Sequence, residues 1–416
     1  KEPYWTHISR WKDISPELFK DHQWQLFNSV SRQNKLESFL DEVIPNDLTP
    51  SNNDSPIKTK WDFIQDASDG LKNAPMNIRI TPHLLSLINW SDPLDDPIRR
   101  QFLPSAIGTL RDHPKLTLDS LHEEADSPIS GLVHRYPGRA LFLVTSICPV
   151  YCRFCTRSYA VGGDTSTVEK RPQKPSRKRW EEILSYIATR EDLHDIVVSG
   201  GDCFYLPPEA LKFIGERLLE IPHIRRFRIA SKGLAVSPGR IQPTDAWTNE
   251  LIALSNRGRQ EGKQVCLHTH FNHPREITWI TEESARHLFA NGVIVRNQSV
   301  LLRGINDDTE VMAELINRLS ELNIQPYYVY QCDLVRGIED LRTPLSTILR
   351  LEKEIRGRIS GFMMPSFVVD LPGGGGKRLA STHDHYDKET GISKWSTPGL
   401  PGEKGKKIYF YHDPQP

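Results

Sequence analysis

From Ala140 to Gln331 the chain repeats one pattern: an apolar run of strand length, a polar break, then a segment of helical period. The runs are Ala140–Ile147, Asp195–Ser199, Arg226–Ser231, Gln264–His270, Ile294–Leu302 and Pro326–Gln331. Short apolar runs bounded by breaks read as strands buried in a parallel sheet. Between them, Pro208–Ile221 sets Leu211, Ile214, Leu218 and Ile221 on one helical face, and Asp308–Leu322 does the same with Val311, Leu315, Leu319 and Leu322. Parallel neighbours need crossover connections, which are right-handed almost without exception. Six such units predict an α/β fold, a partial and open (β/α)6 barrel of the TIM type. Its loops after the strands gather at one end, where such folds carry their chemistry.

The rest of the chain is arranged around that barrel. Residues 1–126 have helix-like patches at Asp21–Val30 and Lys35–Val43 and read as a helical extension rather than a catalytic core, with Trp24 and Trp61 as core anchors. Asp47–Lys60 is polar and rich in Pro, Asn and Ser, which marks a loop. The barrel takes 127–377, with Phe367–Asp370 as a candidate last strand. Residues 378–416 form a polar tail, in which Glu389-Thr390-Gly391 signals a short β hairpin.

Composition narrows the function classes. Lys+Arg and Asp+Glu are equal at 53 each, so no net field draws the chain to nucleic acid or an anionic membrane. A small-molecule substrate is the expectation, and no stretch has the length and apolarity of a membrane span. Three of the six cysteines are clustered and Cys203, Cys266 and Cys332 lie scattered in apolar segments, which is no disulfide framework. A reducing compartment, the cytoplasm, is expected. The chain opens on Lys1, so a removed leader and the mitochondrial matrix are the alternative.

The clustered cysteines follow the first strand directly, in ALFLVTSICPVYCRFCTR, with Cys148, Cys152 and Cys155 spaced Cys-x3-Cys-x2-Cys. Three thiolates can hold three irons of a four-iron cluster and leave the fourth open to a ligand. The same spacing also puts the thiols on one helical face, where cysteines pack as small hydrophobes. Pro149 opposes a helical Cys148, and zinc would want a fourth ligand nearby.

Other segments carry weaker signals of their own. Ser199-Gly200-Gly201-Asp202 ends the second strand, and paired glycines let backbone approach a ligand closely. HTHFNHP at 268–274 is rich in histidine, yet His268 and His270 alternate along a strand, so one points inward and one away. LPGGGGK, ending at Lys377, is too flexible for a regular element and lacks the Ser/Thr of a phosphate loop. A flexible linker with a surface lysine is the plain alternative. In HRYPGR, Arg135 and Arg139 would suit phosphate oxygens. Arg157, Asp333 and Asp370 are ordinary loop-entry residues taken singly.

The cysteine spacing, with aromatics before the second and third thiols, resembles the signature of radical S-adenosylmethionine enzymes. With LPGGGGK and the two aspartates in the same order, the stretch from about Trp11 to Lys377 resembles the lysine 2,3-aminomutase family. The resemblance implies a [4Fe-4S] cluster on Cys148, Cys152 and Cys155. It implies S-adenosylmethionine bound near Ser199, Gly200, Gly201, Asp202, His270, Asn272 and Gln298. It further implies pyridoxal phosphate on Lys377, contacted by Arg135, Tyr136 and Arg139. Arg157 would hold the substrate carboxylate, and Asp333 with Asp370 the distal ammonium. The implied reaction is an isomerase step moving the α-amino group of L-lysine to the β-carbon, started by a 5′-deoxyadenosyl radical. A flavodoxin- or ferredoxin-type electron donor and a homo-oligomer are implied as partners.

Two departures stand out. Ser231-Lys232-Gly233 replaces the family's Ser-Arg-Thr, and the tail lacks the cysteines that bind zinc in some members, so no zinc is expected. Alternatives of other classes are a plain pyridoxal phosphate aminotransferase or racemase and an iron-sulfur electron carrier. Within the class, another cationic amino acid or a lysine carried by elongation factor P is the alternative substrate.

Overall fold

The computed structural model describes residues 1–49 and 54–415; positions 50–53 of the expected loop at 47–60 lie outside the described residues. A nine-stranded sheet forms the centre, with its strands in sequence order from β1 to β9. They are β1 (Leu132–Tyr136), β2 (Arg139–Thr145), β3 (Asp195–Gly200), β4 (Arg226–Ala230), β5 (Gln264–Thr269), β6 (Ile294–Val300), β7 (Ile324–Tyr330), β8 (Ser366–Leu371) and β9 (Gly376–Leu379). Strands β2 to β8 pair in parallel, while β1 and β9 lie antiparallel on the two flanks. Among the described residues no pairing joins β1 to β9, so the barrel is open. The six predicted runs are β2 to β7, and the candidate last strand is β8.

Six helices make the crossovers: Arg177–Thr189, Pro208–Glu220, Ala246–Gln260, Trp279–Ala290, Thr309–Glu321 and Leu345–Ile355. Their starts follow from local chemistry. The Asp308 carboxylate accepts from the amides of Glu310 and Val311, and Asp245 accepts from that of Thr248, satisfying N–H groups the helix cannot. Helix Thr309–Glu321 then buries Met312, Leu315, Ile316 and Leu319, a face turned slightly from the predicted one, with Val311 and Leu322 at its margin.

The N-terminal extension is helical and shares the core of the barrel. Trp5 stacks on Phe19 with centroids 3.9 Å apart, and both are fully buried. Trp24 is half-buried, edge-on to Trp11. Trp61 is not a core anchor: it is 69% exposed, because it lies off the face of helix Lys60–Asn73 that buries Phe63, Ile64 and Ala67.

The tail makes the expected hairpin from β10 (His385–Asp387) and β11 (Ile392–Ser396), with Gly391 at φ 69° in the turn, and adds a third strand, β12 (Ile408–His412). It is less polar than its composition suggests. Trp395 and Tyr411 are fully buried, and the Tyr411 hydroxyl donates to the Cys332 carbonyl at 2.6 Å.

Candidate active site

Seven parallel strands bring their C-terminal ends around one cavity of about 500 Å³. Cys148, Cys152 and Cys155 line it from the loop after β2. That loop is pinned by the N-terminal extension: Arg79 donates to the Cys148 carbonyl at 3.2 Å, and the Arg153 amide to that of Gln101 at 2.9 Å. The three thiols are free and half-buried. Burial pushes each of them up, Cys152 to about 12, and Cys148 and Cys152 also feel the charge of Cys155. Among the described residues no three Cys, His, Asp or Glu side chains close around a single metal ion. Three unbonded thiols lining one cavity fit a multi-iron cluster, whose positive iron would replace their protons.

The glycine pair after β3 is explained by this loop. A Cβ on Gly200, at φ 120°, would lie 2.2 Å from the Thr145 carbonyl oxygen, and one on Gly201 would lie 2.5 Å from that of Ile147. Their close partner is thus the backbone of the cysteine loop, to which Gly201 and Asp202 donate at 2.6 and 2.9 Å. Asp202 lines the cavity, but its carboxylate already accepts from the amides of Phe204 and Lys232. Ser199 and Gln298 also line the cavity.

Both histidines line the cavity, contrary to the expectation that one would point away, because side chains two residues apart along an extended chain share a face. The His270 ring stacks on Phe154 with centroids 5.6 Å apart, and its Nε2 has no partner. Burial holds it neutral, well below the usual histidine range, and lowers His268 to about 3. Asn272 is not in the cavity wall. It is fully buried, with its amide spent on Gln101 at 3.0 Å and on the Val300 amide at 2.9 Å.

Lys232, the middle residue of the departing Ser-Lys-Gly, reaches the cavity wall. Its ammonium donates to the His270 carbonyl at 2.6 Å and to Glu276 at 3.2 Å. Glu276 is fully buried and also takes the amides of Asn272 and His273, so the cation ties the ends of β4 and β5 together. Gly233 is required here, since a Cβ would fall 2.2 Å from the Phe204 ring.

A charged group of residues completes the cavity. The glycine turn folds β9 back on β8 so that Asp370 stands directly opposite Lys377, and their side chains form an ion pair at 3.2 Å. Gly373, Gly374 and Gly376 take φ of 77°, 83° and 72°, which only glycine adopts freely, and a Cβ on Gly376 would meet the Tyr136 hydroxyl at 2.1 Å. That hydroxyl accepts from the Lys377 amide at 2.9 Å. Asp333 accepts from the Thr156 hydroxyl at 2.5 Å. Burial first, and then the charge of Asp370, push its carboxyl up to about 7.

The arginines are deployed unequally. Arg157 makes a fork with Glu123, Nε to Oε2 at 2.8 Å and an Nη to Oε1 at 3.0 Å, and also donates to the Gly200 carbonyl at 3.3 Å. Glu123 was not visible as a site residue in the sequence; it sits in the extension read as non-catalytic, yet it lines the cavity and is buried. Arg135 lies on β1, donates to Asp126 at 2.7 Å and to the Leu121 carbonyl, and faces Asp370 at 3.7 Å. It is engaged by carboxylates, which leaves little of it for a phosphate. Arg139 lies over the Tyr136 ring at 3.7 Å, is exposed, and has no hydrogen-bond or ion-pair partner among the described residues.

An open parallel barrel with three free thiols at its mouth defines an enzyme of the radical S-adenosylmethionine class, and residues 142–316 match that superfamily. The class implies a four-iron cluster, S-adenosylmethionine, a small-molecule substrate and an electron donor. The chain is 37% identical over 368 residues to L-lysine 2,3-aminomutase of Clostridium subterminale, covering 88% of this chain and 79% of that one. It is 35% identical to the enzyme of the same name from Bacillus subtilis (strain 168), over 90% of this chain and 71% of the relative. A glutamate 2,3-aminomutase of Clostridioides difficile (strain 630) is 32% identical over 87% and 76%. The chain belongs to the lysine 2,3-aminomutase family of isomerases.

Proposed function

We propose that this chain interconverts L-lysine and L-β-lysine, with pyridoxal phosphate held at Lys377. The observation that carries the substrate is the Asp370–Lys377 pair: a buried carboxylate in the cavity already holds an ammonium at 3.2 Å, and its other oxygen has no hydrogen-bond partner. When Lys377 is committed to a cofactor, Asp370 is left to take a second ammonium, and Asp333 stands beside it. A buried pair of carboxylates selects a cation and repels the side chain of glutamate, whose charge would be left unpaired. That separates this cavity from a glutamate-specific one.

The site also fits the cofactor. Lys377 supplies the amine, the glycine turn brings backbone close, and Arg139 is a cation without a partner among the described residues that suits a phosphate better than the occupied Arg135. When bound, the cluster supplies the electron that cleaves S-adenosylmethionine, and pyridoxal phosphate carries the migrating nitrogen. The chain's own residues orient and exclude. Arg157, fixed by Glu123, would present its remaining N–H groups to the α-carboxylate, while Asp370 and Asp333 would fix the far end, so that the substrate is held in one orientation. His270, held neutral and stacked on Phe154 of the cysteine loop, adds no charge there. We place the enzyme in a reducing cytoplasm, as a homo-oligomer served by a flavodoxin- or ferredoxin-type donor.

Borohydride treatment of the protein with pyridoxal phosphate tests the cofactor assignment. Label on the peptide holding Lys377 is expected; label on any other lysine contradicts it.

A further inference from the structure

The segment from Leu400 to Tyr409, which runs from the loop after β11 into the start of β12, lies against the glycine turn that presents Lys377. Tyr409 covers Gly375, where a Cβ would fall 2.8 Å from its ring, and Leu400 lies beside Gly376. Tyr409 donates to the Lys404 carbonyl at 3.2 Å, which ties the strand to the 3-10 turn Gly402–Lys406. From that turn the Lys404 ammonium reaches Asp126, a carboxylate 3% exposed. Asp126 pairs with Arg135, Arg135 faces Asp370, and Asp370 pairs with Lys377. Five charges of alternating sign therefore run from the tail surface to the site lysine.

We propose that the 400–409 segment is a latch on the glycine turn and that Lys404 is a positioning residue for Lys377, acting through Asp126 and Arg135. This rests on the reading of Lys377 as the cofactor lysine. Two independent contacts carry it. The first is steric: four glycines in succession do not hold a conformation by themselves, and the face of Tyr409 and the side chain of Leu400 cover the turn. The second is electrostatic. Asp126 is shared by two cations, so Lys404 takes part of its charge and leaves more of the Arg135 field on Asp370. Without Lys404, Asp126 pairs with Arg135 alone, Asp370 loses support, and the turn loses its tie to the tail. Among the described residues the neighbouring Lys406 pairs only with Glu403, both well exposed, and it serves as the control.

The test reads the turn directly. The Gly373 amide donates to the Ser120 carbonyl at 2.9 Å and the Lys377 amide to the Tyr136 hydroxyl, so hydrogen exchange in a peptide spanning 371–379 reports on its opening. In Lys404→Met, exchange confined to that peptide should speed up about fivefold, with pyridoxal phosphate affinity, from its visible band, weakened to a similar degree. Lys404→Arg should restore both, and Lys406→Met should change neither. Tyr409→Phe, which removes one hydroxyl, should speed exchange less, and it stands in if Lys404→Met fails to fold. Unchanged exchange in Lys404→Met, or in Tyr409→Phe where that variant stands in, overturns the latch. If the parent protein takes up no pyridoxal phosphate, the cofactor reading fails, and the exchange result still decides the latch.

Discussion

The thiol region and the carboxylate–lysine region share one cavity and solve opposite electrostatic problems. Around Cys148, Cys152 and Cys155 burial dominates: it keeps the thiols protonated and His270 neutral, Asp202 accepts from backbone amides, and the nearby cations Arg79, Arg157 and Lys232 are each bonded to carbonyls or carboxylates. Around Lys377 charge is concentrated and compensated, with Asp333, Asp370, Arg135 and Asp126 in contact or near contact. The first region is built to receive charge from a bound group, since a metal must displace the thiol protons. On the proposed reading, the second already contains the charges it would use and would exchange one ammonium for another. Reactivity is thus left to a cofactor in one region and recognition is built into the protein in the other.

Breaking the first region should have the larger effect. Cys152→Ala is expected to abolish cluster assembly, taking anaerobically reconstituted protein from about four irons per chain to background in an iron and sulfide analysis. One zinc and no sulfide in the parent would contradict the contrast at its root. In the second region, Asp370→Asn leaves Lys377 without its carboxylate and should weaken lysine binding by about 2 to 5 kcal/mol, roughly thirtyfold or more, measured by calorimetry on the cofactor-loaded protein. Unchanged binding would remove Asp370 from recognition.

A pH series sharpens the contrast. Burial and the Asp370 charge raise the Asp333 carboxyl from near 3.8 to about 7, so the folded state binds an extra proton between those values and loses stability as pH rises through that window. A cation beside Asp333 favours its ionised form. Lysine affinity should therefore rise severalfold as pH increases through about 7 and level off above, and Asp333→Asn should flatten the curve. A further effect concerns the α-carboxylate. Arg157→Met alone would strand the buried Glu123, so the double variant Glu123→Gln/Arg157→Met is the cleaner probe. It should weaken lysine and other α-amino acids alike, by about tenfold for a lost charged hydrogen bond. A loss selective for lysine would place Arg157 elsewhere.

Periodic and local features were legible in the sequence. The apolar runs became β2 to β7 within a few residues of their expected ends, and the cysteines appear on the loop after the first of them, because strand burial and Pro149 are local matters. What escaped depends on distant pairing. Glu123 meets Arg157 from a polar segment with no motif, and Asp126 and Lys404 come together from opposite sides of the barrel sequence. Asn272 is the reverse case: a structural amide and a ligand-binding one look identical in sequence, and only the structure shows its bonds to Gln101 and Val300. Trp61 shows that a bulky aromatic at a helix start need not face the core.

The central claim is that the carboxylates around Lys377 set a radical aminomutase to work on lysine. Anaerobic incubation of the reconstituted protein with S-adenosylmethionine, pyridoxal phosphate, dithionite and an equal mixture of lysine and glutamate, followed by product chromatography, tests it most directly. β-Lysine with no β-glutamate is the predicted result, and β-glutamate formed at a comparable rate would contradict it.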